Sequence, residues 1–97
     1  MIHKNIGSSF DDFLDQQEVL AESEAIALKR VFAWEMEKAI EAHHWTKTET
    51  AKRMKTSRAG LERLLDPSNT SVTLKNLEKA AVAVGKRISI EMTDMVV

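Results

Sequence analysis

Two arginines flank a pair of small residues near the start of an apparent helix in "TSRAGLERLLD", residues 56–66. Ser57 is a typical helix cap, so Arg58 falls in the first turn, where a cation opposes the helix dipole by a few tenths of a kcal/mol. Gly60, also near this helix start, lowers helix stability by roughly 1 kcal/mol relative to alanine. The guanidinium forks of Arg58 and Arg63 match an anion or the O6 and N7 atoms of guanine. These features favour an anionic partner, and ordinary solvated surface is the alternative.

Charge is unevenly distributed along a chain whose net charge is only −1. Residues 1–28 carry one lysine and six carboxylates, a net charge of −5, whereas residues 43–65 carry six lysines or arginines and two glutamates, a net charge of +4. A local positive patch attracts polyanions whatever the net charge of the protein. Within this patch we expect Lys52, Arg53 and Lys55 to contact phosphates rather than bases, which adds affinity and salt dependence.

No arrangement of side chains in the sequence marks an enzyme or a metal site. The absence of cysteine excludes disulfides, thiolate ligands and a cysteine nucleophile. His43 and His44 are adjacent at a helix end, point in different directions and have no third ligand at a suitable spacing, so helix capping is expected of them rather than metal binding. No catalytic serine arrangement, glycine-rich phosphate loop or carboxylate pair is recognisable. We therefore expect neither enzymatic activity nor a cofactor.

Length and composition predict one small, mostly helical domain. The chain has 97 residues, of which 43% are apolar and 30% charged, with three glycines and one proline. The first residues lack the apolar region of a signal peptide, and no apolar run approaches the roughly 18 residues of a membrane span. A cytoplasmic location is expected.

Helical periodicity predicts two helices in the N-terminal half. Ser9 and Asp12 form a capping box for a short acidic helix that should end near Gln17. Its apolar edge consists of Phe10, Phe13 and Leu14. A longer helix should run from Ser23 to His43, because apolar residues recur at three- and four-residue spacing. That stripe consists of Leu28, Val31, Phe32, Met36, Ala39 and Ile40.

Trp34 lies off the stripe of the long helix. Either it packs against the acidic N-terminal segment, or it contacts a second copy or another partner.

Two short helices are predicted next. Thr46 and Glu49 form a second capping box, so Lys47 begins a helix that should end near Lys55. Its buried side, together with Trp45 before the cap, is expected to consist of Ala51 and Met54. Ser57 or Thr56 then caps a helix that Asp66, placed before a proline, should stop. Its apolar residues are Leu61, Leu64 and Leu65.

The C-terminal part contains one more predicted helix and a predicted strand. Thr73 caps the helix and Gly85 ends it, with Leu74, Leu77, Ala80, Ala81 and Val84 inside. The period then changes to two in "RISIEM", residues 87–92, as in a half-buried strand. A lone strand needs a partner, most simply its copy in a second chain; pairing with residues 1–6 and a frayed tail are alternatives.

The sequence thus predicts an all-α bundle of about five helices with a short C-terminal β-strand. The expected organisation is an acidic N-terminal segment at 1–22, a helical domain at 23–86 and a C-terminal strand or tail at 87–97.

The pair of short helices carries a family resemblance. "WTKTETAKRMKTSRAGLERLLD", residues 45–66, resembles the XRE class of helix-turn-helix, of the phage repressor and Cro type, and the resemblance covers about residues 26–85. "SVTLKNLEKAAVAVGKRISIEM", residues 71–92, is similar to the continuation in HigA-like antitoxins and regulators. The resemblance implies a lambda repressor-like fold whose second short helix enters the DNA major groove.

The resemblance also implies roles for individual residues. Thr46 and Ser57 would cap the two motif helices, and Ala51 would be the small residue where they cross. Base-facing positions of the recognition helix would be Arg58, Ala59 and Arg63, and phosphate contacts would come from Lys47 and Ser57 in addition to Lys52, Arg53 and Lys55. Two departures stand out: Lys55 occupies the usual glycine of the turn, and Thr50 a position that is usually aliphatic.

The expected function is that of a sequence-specific DNA-binding regulator. It would act as a homodimer on a palindromic operator with half-sites about 34 Å apart. The resemblance further implies repression of its own promoter, with a role as antitoxin to a toxin of the HigB/RelE type. The alternative is a protein-interaction module in which the acidic residues 1–28 cover a basic partner protein.

Overall fold

Four α-helices make up the described part of the chain. The computed structural model describes the backbone of residues 2–95 and the side chains of residues 16–95. The helices are α1 (Ile2–Ala42), α2 (Lys47–Arg53), α3 (Arg58–Leu65) and α4 (Leu74–Ala83). The predicted all-helical class is confirmed, but there are four helices rather than about five, and residues 2–95 contain no strand.

Helix α1 is continuous where a break between Gln17 and Ser23 was predicted, and that prediction was wrong. The intervening residues are good helix formers, and the chain has no glycine or proline between Gly7 and Gly60 to stop the helix. Ser9, the predicted cap, and Ser23, the predicted start of the longer helix, both lie inside α1. The expected side-chain contacts of Phe10, Phe13 and Leu14 lie outside the described side chains. α1 also runs through residue 22, where the acidic segment was expected to end.

The core forms between the C-terminal half of α1 and the three short helices. Met36, Ala39 and Ile40 of α1 are buried as predicted. They pack with Ala51, Met54, Leu61, Leu65, Ala80 and Val84. The predicted stripe was wrong for Leu28 and Val31, which are exposed, because the buried line of α1 runs through Lys29 and Ala33 instead. Leu74 of α4 is likewise exposed rather than inside.

Thr50 is fully buried, although an aliphatic residue is more usual at its position. Its hydroxyl donates a hydrogen bond of 2.8 Å to the carbonyl of Thr46, one turn earlier. The polar atom therefore has a partner in the core, which removes most of the desolvation penalty.

The three predicted helix caps are confirmed. Thr46 accepts from the backbone N–H of Glu49 at 3.1 Å, Ser57 from Gly60 at 2.9 Å, and Thr73 from Asn76 at 3.1 Å. Each cap residue has extended backbone, as a helix start requires.

Three helices end in the same hydrogen-bonded motif, in which one residue with a left-handed backbone conformation turns the chain away from the helix axis. This residue is His44 after α1, Lys55 after α2 and Gly85 after α4. In each case its N–H and that of the next residue return to the last turn of the helix, the pattern of a Schellman motif. Gly85 ends α4 as predicted, whereas the other two ends use a histidine and a lysine.

The C-terminal residues 86–95 form neither helix nor strand. The strand expected at 87–92 is therefore not formed in the single chain, since it has no neighbour with which to exchange hydrogen bonds. Pairing with residues 1–6 was wrong, because residues 2–6 belong to α1. Ile90, Met92 and Met95 are exposed. Among the described residues, no helix is both long enough and apolar enough to cross a membrane.

Candidate nucleic-acid interface

Helices α2 and α3 are joined by a tight turn centred on Lys55. Its φ is +57°, the left-handed region expected where this lysine replaces a glycine. Lys55 N–H donates to the Lys52 carbonyl and Thr56 N–H to the Ala51 carbonyl, both at 3.0 Å. A non-glycine residue in this conformation costs about 1 kcal/mol or more, so the surrounding hydrogen bonds fix the turn against that preference.

Helix α3 has one buried and one exposed face. Leu61 is completely buried, Leu65 is buried and Leu64 is half-buried. Arg58, Ala59, Glu62 and Arg63 are exposed. All three residues predicted to face DNA bases therefore lie on the solvent side of α3.

Glu62 is a residue of this exposed face that the sequence analysis passed over. Its carboxylate lies 3.6 Å from Nε of Arg58, one turn earlier, and both side chains are more than half exposed. Such a surface pair contributes little to stability. Its chemistry is relevant to an interface, because a carboxylate can accept a hydrogen bond from the N4 amino group of cytosine. The four-residue spacing of opposite charges was the available signal.

The residues predicted to contact phosphates are all exposed: Lys47, Lys52, Arg53, Lys55 and Ser57. Arg53 is already engaged, since its Nε lies 3.0 Å from the Glu49 carboxylate and its guanidinium 4.3 Å from the centre of the Trp45 ring. The Glu49 carboxylate thus pairs with Arg53, while the Glu49 backbone N–H donates to the cap Thr46. The described ion pairs leave the lysines of this set unpaired.

Gly60 has an intramolecular reason to lack a side chain. A Cβ built at this position would overlap the hydroxyl oxygen of Thr56 and lie 3.2 Å from that of Ser57. The hydroxyl groups of Thr56 and Ser57, the two residues before α3, therefore fill the space. In the sequence, Gly60 was one of the features that favoured an anionic partner. The contacts with Thr56 and Ser57 explain within the chain why a glycine is present despite its helix penalty.

Lys29 caps the C-terminal end of α3 from across the core. Its side chain is 4% exposed, and Nζ donates to the carbonyls of Arg63 at 3.2 Å, Asp66 at 2.9 Å and Asn69 at 2.8 Å. Each of the three ammonium protons can thus be donated to one of the three carbonyl oxygens. Burial lowers the pKa of Lys29 below its usual value, and the nearby Asp66 carboxylate opposes this shift. Sequence reasoning missed this residue, since a lone lysine on a predicted helix resembles surface charge.

His43 connects the ends of α1 and α4. Its Nε2 lies 3.0 Å from the carbonyl oxygen of Val84, and its ring stacks on Trp45 with centroids 4.2 Å apart. His44 supplies the left-handed residue that ends α1. The described residues contain no cluster of three histidine or carboxylate side chains that could hold a metal ion.

The expected packing of Trp34 against a separate acidic element was wrong, because Trp34 and the acidic segment belong to one continuous helix, α1. It is 57% exposed, and the ammonium of Lys38 lies 4.0 Å from the centre of its ring.

Comparisons of the chain with protein-family models, with curated proteins and with solved structures gave no match.

Proposed function

We propose that this protein is a sequence-specific DNA-binding regulator in which α2 and α3 form a helix-turn-helix of the XRE class. Helix α3 would enter the major groove, with Arg58, Ala59 and Arg63 facing the bases. Phosphate contacts would come from Lys47, Lys52, Arg53, Lys55 and Ser57. A homodimer would place two α3 helices on the half-sites of a palindrome, and repression of its own promoter would follow from occupancy of that site.

The observation that carries the proposal is the arrangement of α3. Its leucines anchor it in the core, its start is capped by Ser57, and its end is held by Lys29. Its polar face is therefore fixed in position while Arg58, Ala59 and Arg63 stay exposed. A helix held at both ends presents base-reading side chains at low entropic cost. The hydrogen-bonded left-handed turn at Lys55 sets its angle to α2.

The test is a binding titration against DNA from upstream of the protein's own gene and against a scrambled duplex of equal length. Arg58→Ala should weaken binding to the upstream duplex by about 1 to 3 kcal/mol, or roughly 5- to 150-fold, with a smaller loss on the scrambled duplex. The matched control is Arg30→Ala, an exposed arginine on α1 far from α3 in the sequence. An equal loss on both duplexes would exclude base reading by Arg58.

The C-terminal strand is proposed to form only in the dimer. Residues 87–92 retain their alternating pattern, and Ile90 and Met92 are exposed in the single chain. Pairing with the same segment of a second copy would satisfy their backbone groups. Ile90→Asp should shift the protein toward monomer in sedimentation equilibrium, whereas Ser89→Asp, on the other face of the strand, should shift it less.

A second candidate function is favoured by the exposed side chains of residues 18–34 of α1. Leu28, Val31 and Trp34 are large apolar side chains exposed on this helix, and Glu18, Glu22 and Glu24 are exposed carboxylates nearby. This surface suits a basic partner protein, which is the protein-interaction alternative and the role that an antitoxin of the HigB/RelE type would have. Binding of the product of a short basic neighbouring reading frame, lost in the Leu28→Asp and Val31→Asp double variant, would support it.

A further inference from the structure

A cleft lies between the turn that precedes α3, α3 itself and residues 76–80 of α4. Its volume is about 250 Å³, and its apolar lining includes Met54, Leu64 and Ala80. Three cationic side chains line it: Lys55 from the turn, Arg63 from α3 and Lys79 from α4. No carboxylate is among the lining residues.

The positive charge of this cleft is not compensated within the described part of the chain. The ion pairs found there involve Lys38, Arg53, Arg58 and Lys86, and none of the three cleft cations. The remaining polar lining consists of neutral donors such as Thr56, Ser71 and Asn76. In a concave site, cations without paired carboxylates produce a stronger positive potential than on a flat surface, because the partly apolar lining screens their charge less than water does. Such a cleft attracts anions.

The cleft borders α3 directly, since Gly60 and Arg63 belong to both. An α-helix with its side chains is about 10 to 12 Å across and therefore fills a major groove about 12 Å wide. The flanks of such a helix meet the phosphate backbones that form the groove walls. A basic cleft on one flank of α3 is thus placed to receive a backbone phosphate.

We propose that this cleft binds a phosphodiester group of the DNA backbone, with Lys79 as a phosphate contact outside the pair α2 and α3. The proposal rests on the proposed DNA-binding function and extends it to α4. Lys55 and Lys79 supply charge to the cleft from two different elements, the turn before α3 and α4, and Arg63 adds a third cation from α3. The test is therefore centred on Lys79, which is not part of α3.

The experiment compares Lys79→Gln with Lys75→Gln, an exposed lysine one turn earlier on α4 that does not line the cleft. Binding to the upstream and scrambled duplexes is measured at several salt concentrations. Lys79→Gln should weaken binding to both duplexes by the same factor and reduce the slope of log affinity against log salt by about 0.9, the contribution of one phosphate contact. Lys75→Gln should leave both quantities unchanged, and Lys79→Arg should restore the slope.

The possible failures are distinguishable. If the wild-type protein binds neither duplex, the DNA-binding function itself is wrong. If the wild-type protein binds DNA and Lys79→Gln keeps the wild-type salt slope, the DNA-binding function is retained, but the proposed phosphate contact in the cleft is wrong. Inorganic phosphate provides the second arm: saturable binding of free phosphate at the cleft, with unchanged DNA affinity in Lys79→Gln, would assign the site to a free anion and overturn the backbone contact.

Discussion

The two parts of α1 differ although they belong to one helix. From Lys29 to Ile40 it supplies a buried line of side chains to the core, whereas every described residue from Gln16 to Glu24 is exposed. The exposed part extends along a molecule whose longest dimension is 62 Å, close to the length of a 41-residue helix at about 1.5 Å per residue. The difference shows that tertiary packing stabilises one part of α1, whereas the exposed part depends on its own backbone hydrogen bonds and on the helix propensity of its residues.

The largest expected effect separates a core leucine from an exposed one. Leu61→Ala removes a fully buried side chain and should lower the free energy of unfolding by about 2 to 5 kcal/mol. Leu28→Ala, at a side chain that is 71% exposed on α1, should change it by less than about 0.5 kcal/mol. Urea denaturation followed by circular dichroism measures both. Similar losses for the two variants would mean that the Leu28 side chain is packed in solution rather than exposed.

Lys29 marks the boundary between the two parts of α1. Lys29→Met keeps an apolar stem but leaves the carbonyls of Arg63, Asp66 and Asn69 without their donor, which should cost about 2 to 3 kcal/mol. The neighbouring exposed Arg30→Met is the control and should be nearly neutral, within about 0.5 kcal/mol. A stability of Lys29→Met equal to that of the control would show that water replaces the ammonium without loss.

Gly60 gives a smaller effect whose sign depends on Thr56. In the wild-type background, Gly60→Ala should not stabilise the protein, because the new methyl group meets the Thr56 hydroxyl. In a Thr56→Ala background the same change should stabilise it by about 0.5 to 1 kcal/mol, the usual advantage of alanine in a helix. A double-mutant cycle by thermal denaturation measures the difference. Additive effects would leave the steric explanation without support.

The smallest expected effect is a pH dependence near the end of α3. Asp66 accepts hydrogen bonds from the hydroxyl and the backbone N–H of Ser68, which lower the pKa of its carboxyl group. Because the pKa is lower in the folded state, the stabilisation is complete above the unfolded pKa and is lost as pH falls through the folded pKa. Asp66→Asn should therefore show a flatter loss of stability between about pH 5 and pH 3. An unchanged slope in that variant would assign the acid sensitivity to other carboxylates.

Local signals predicted the short helices well, and long-range contacts explain what was missed. The caps at Thr46, Ser57 and Thr73 depend on residues three positions away, so sequence alone revealed them. The continuity of α1 was missed because a short helix was expected to end near Gln17 and a second one to start at Ser23, although no glycine or proline separates these residues.

The candidate site was predictable only in part, for the same reason. The exposed residues of α3 follow from helical periodicity around its leucines. Lys29 could not be identified in this way, since its three partners lie 34 to 40 residues away in the sequence. The cleft cations Lys55 and Lys79 are likewise 24 residues apart, and only the packing of α4 brings them together.

The most direct test of the account is to map, by NMR chemical shifts of the backbone amides, which part of the protein responds to its upstream DNA. The account predicts that the largest changes occur in residues 55–63 and around Lys79, with little change in residues 16–28. Changes concentrated in residues 16–28 of α1, with α3 unaffected, would contradict DNA recognition by α3.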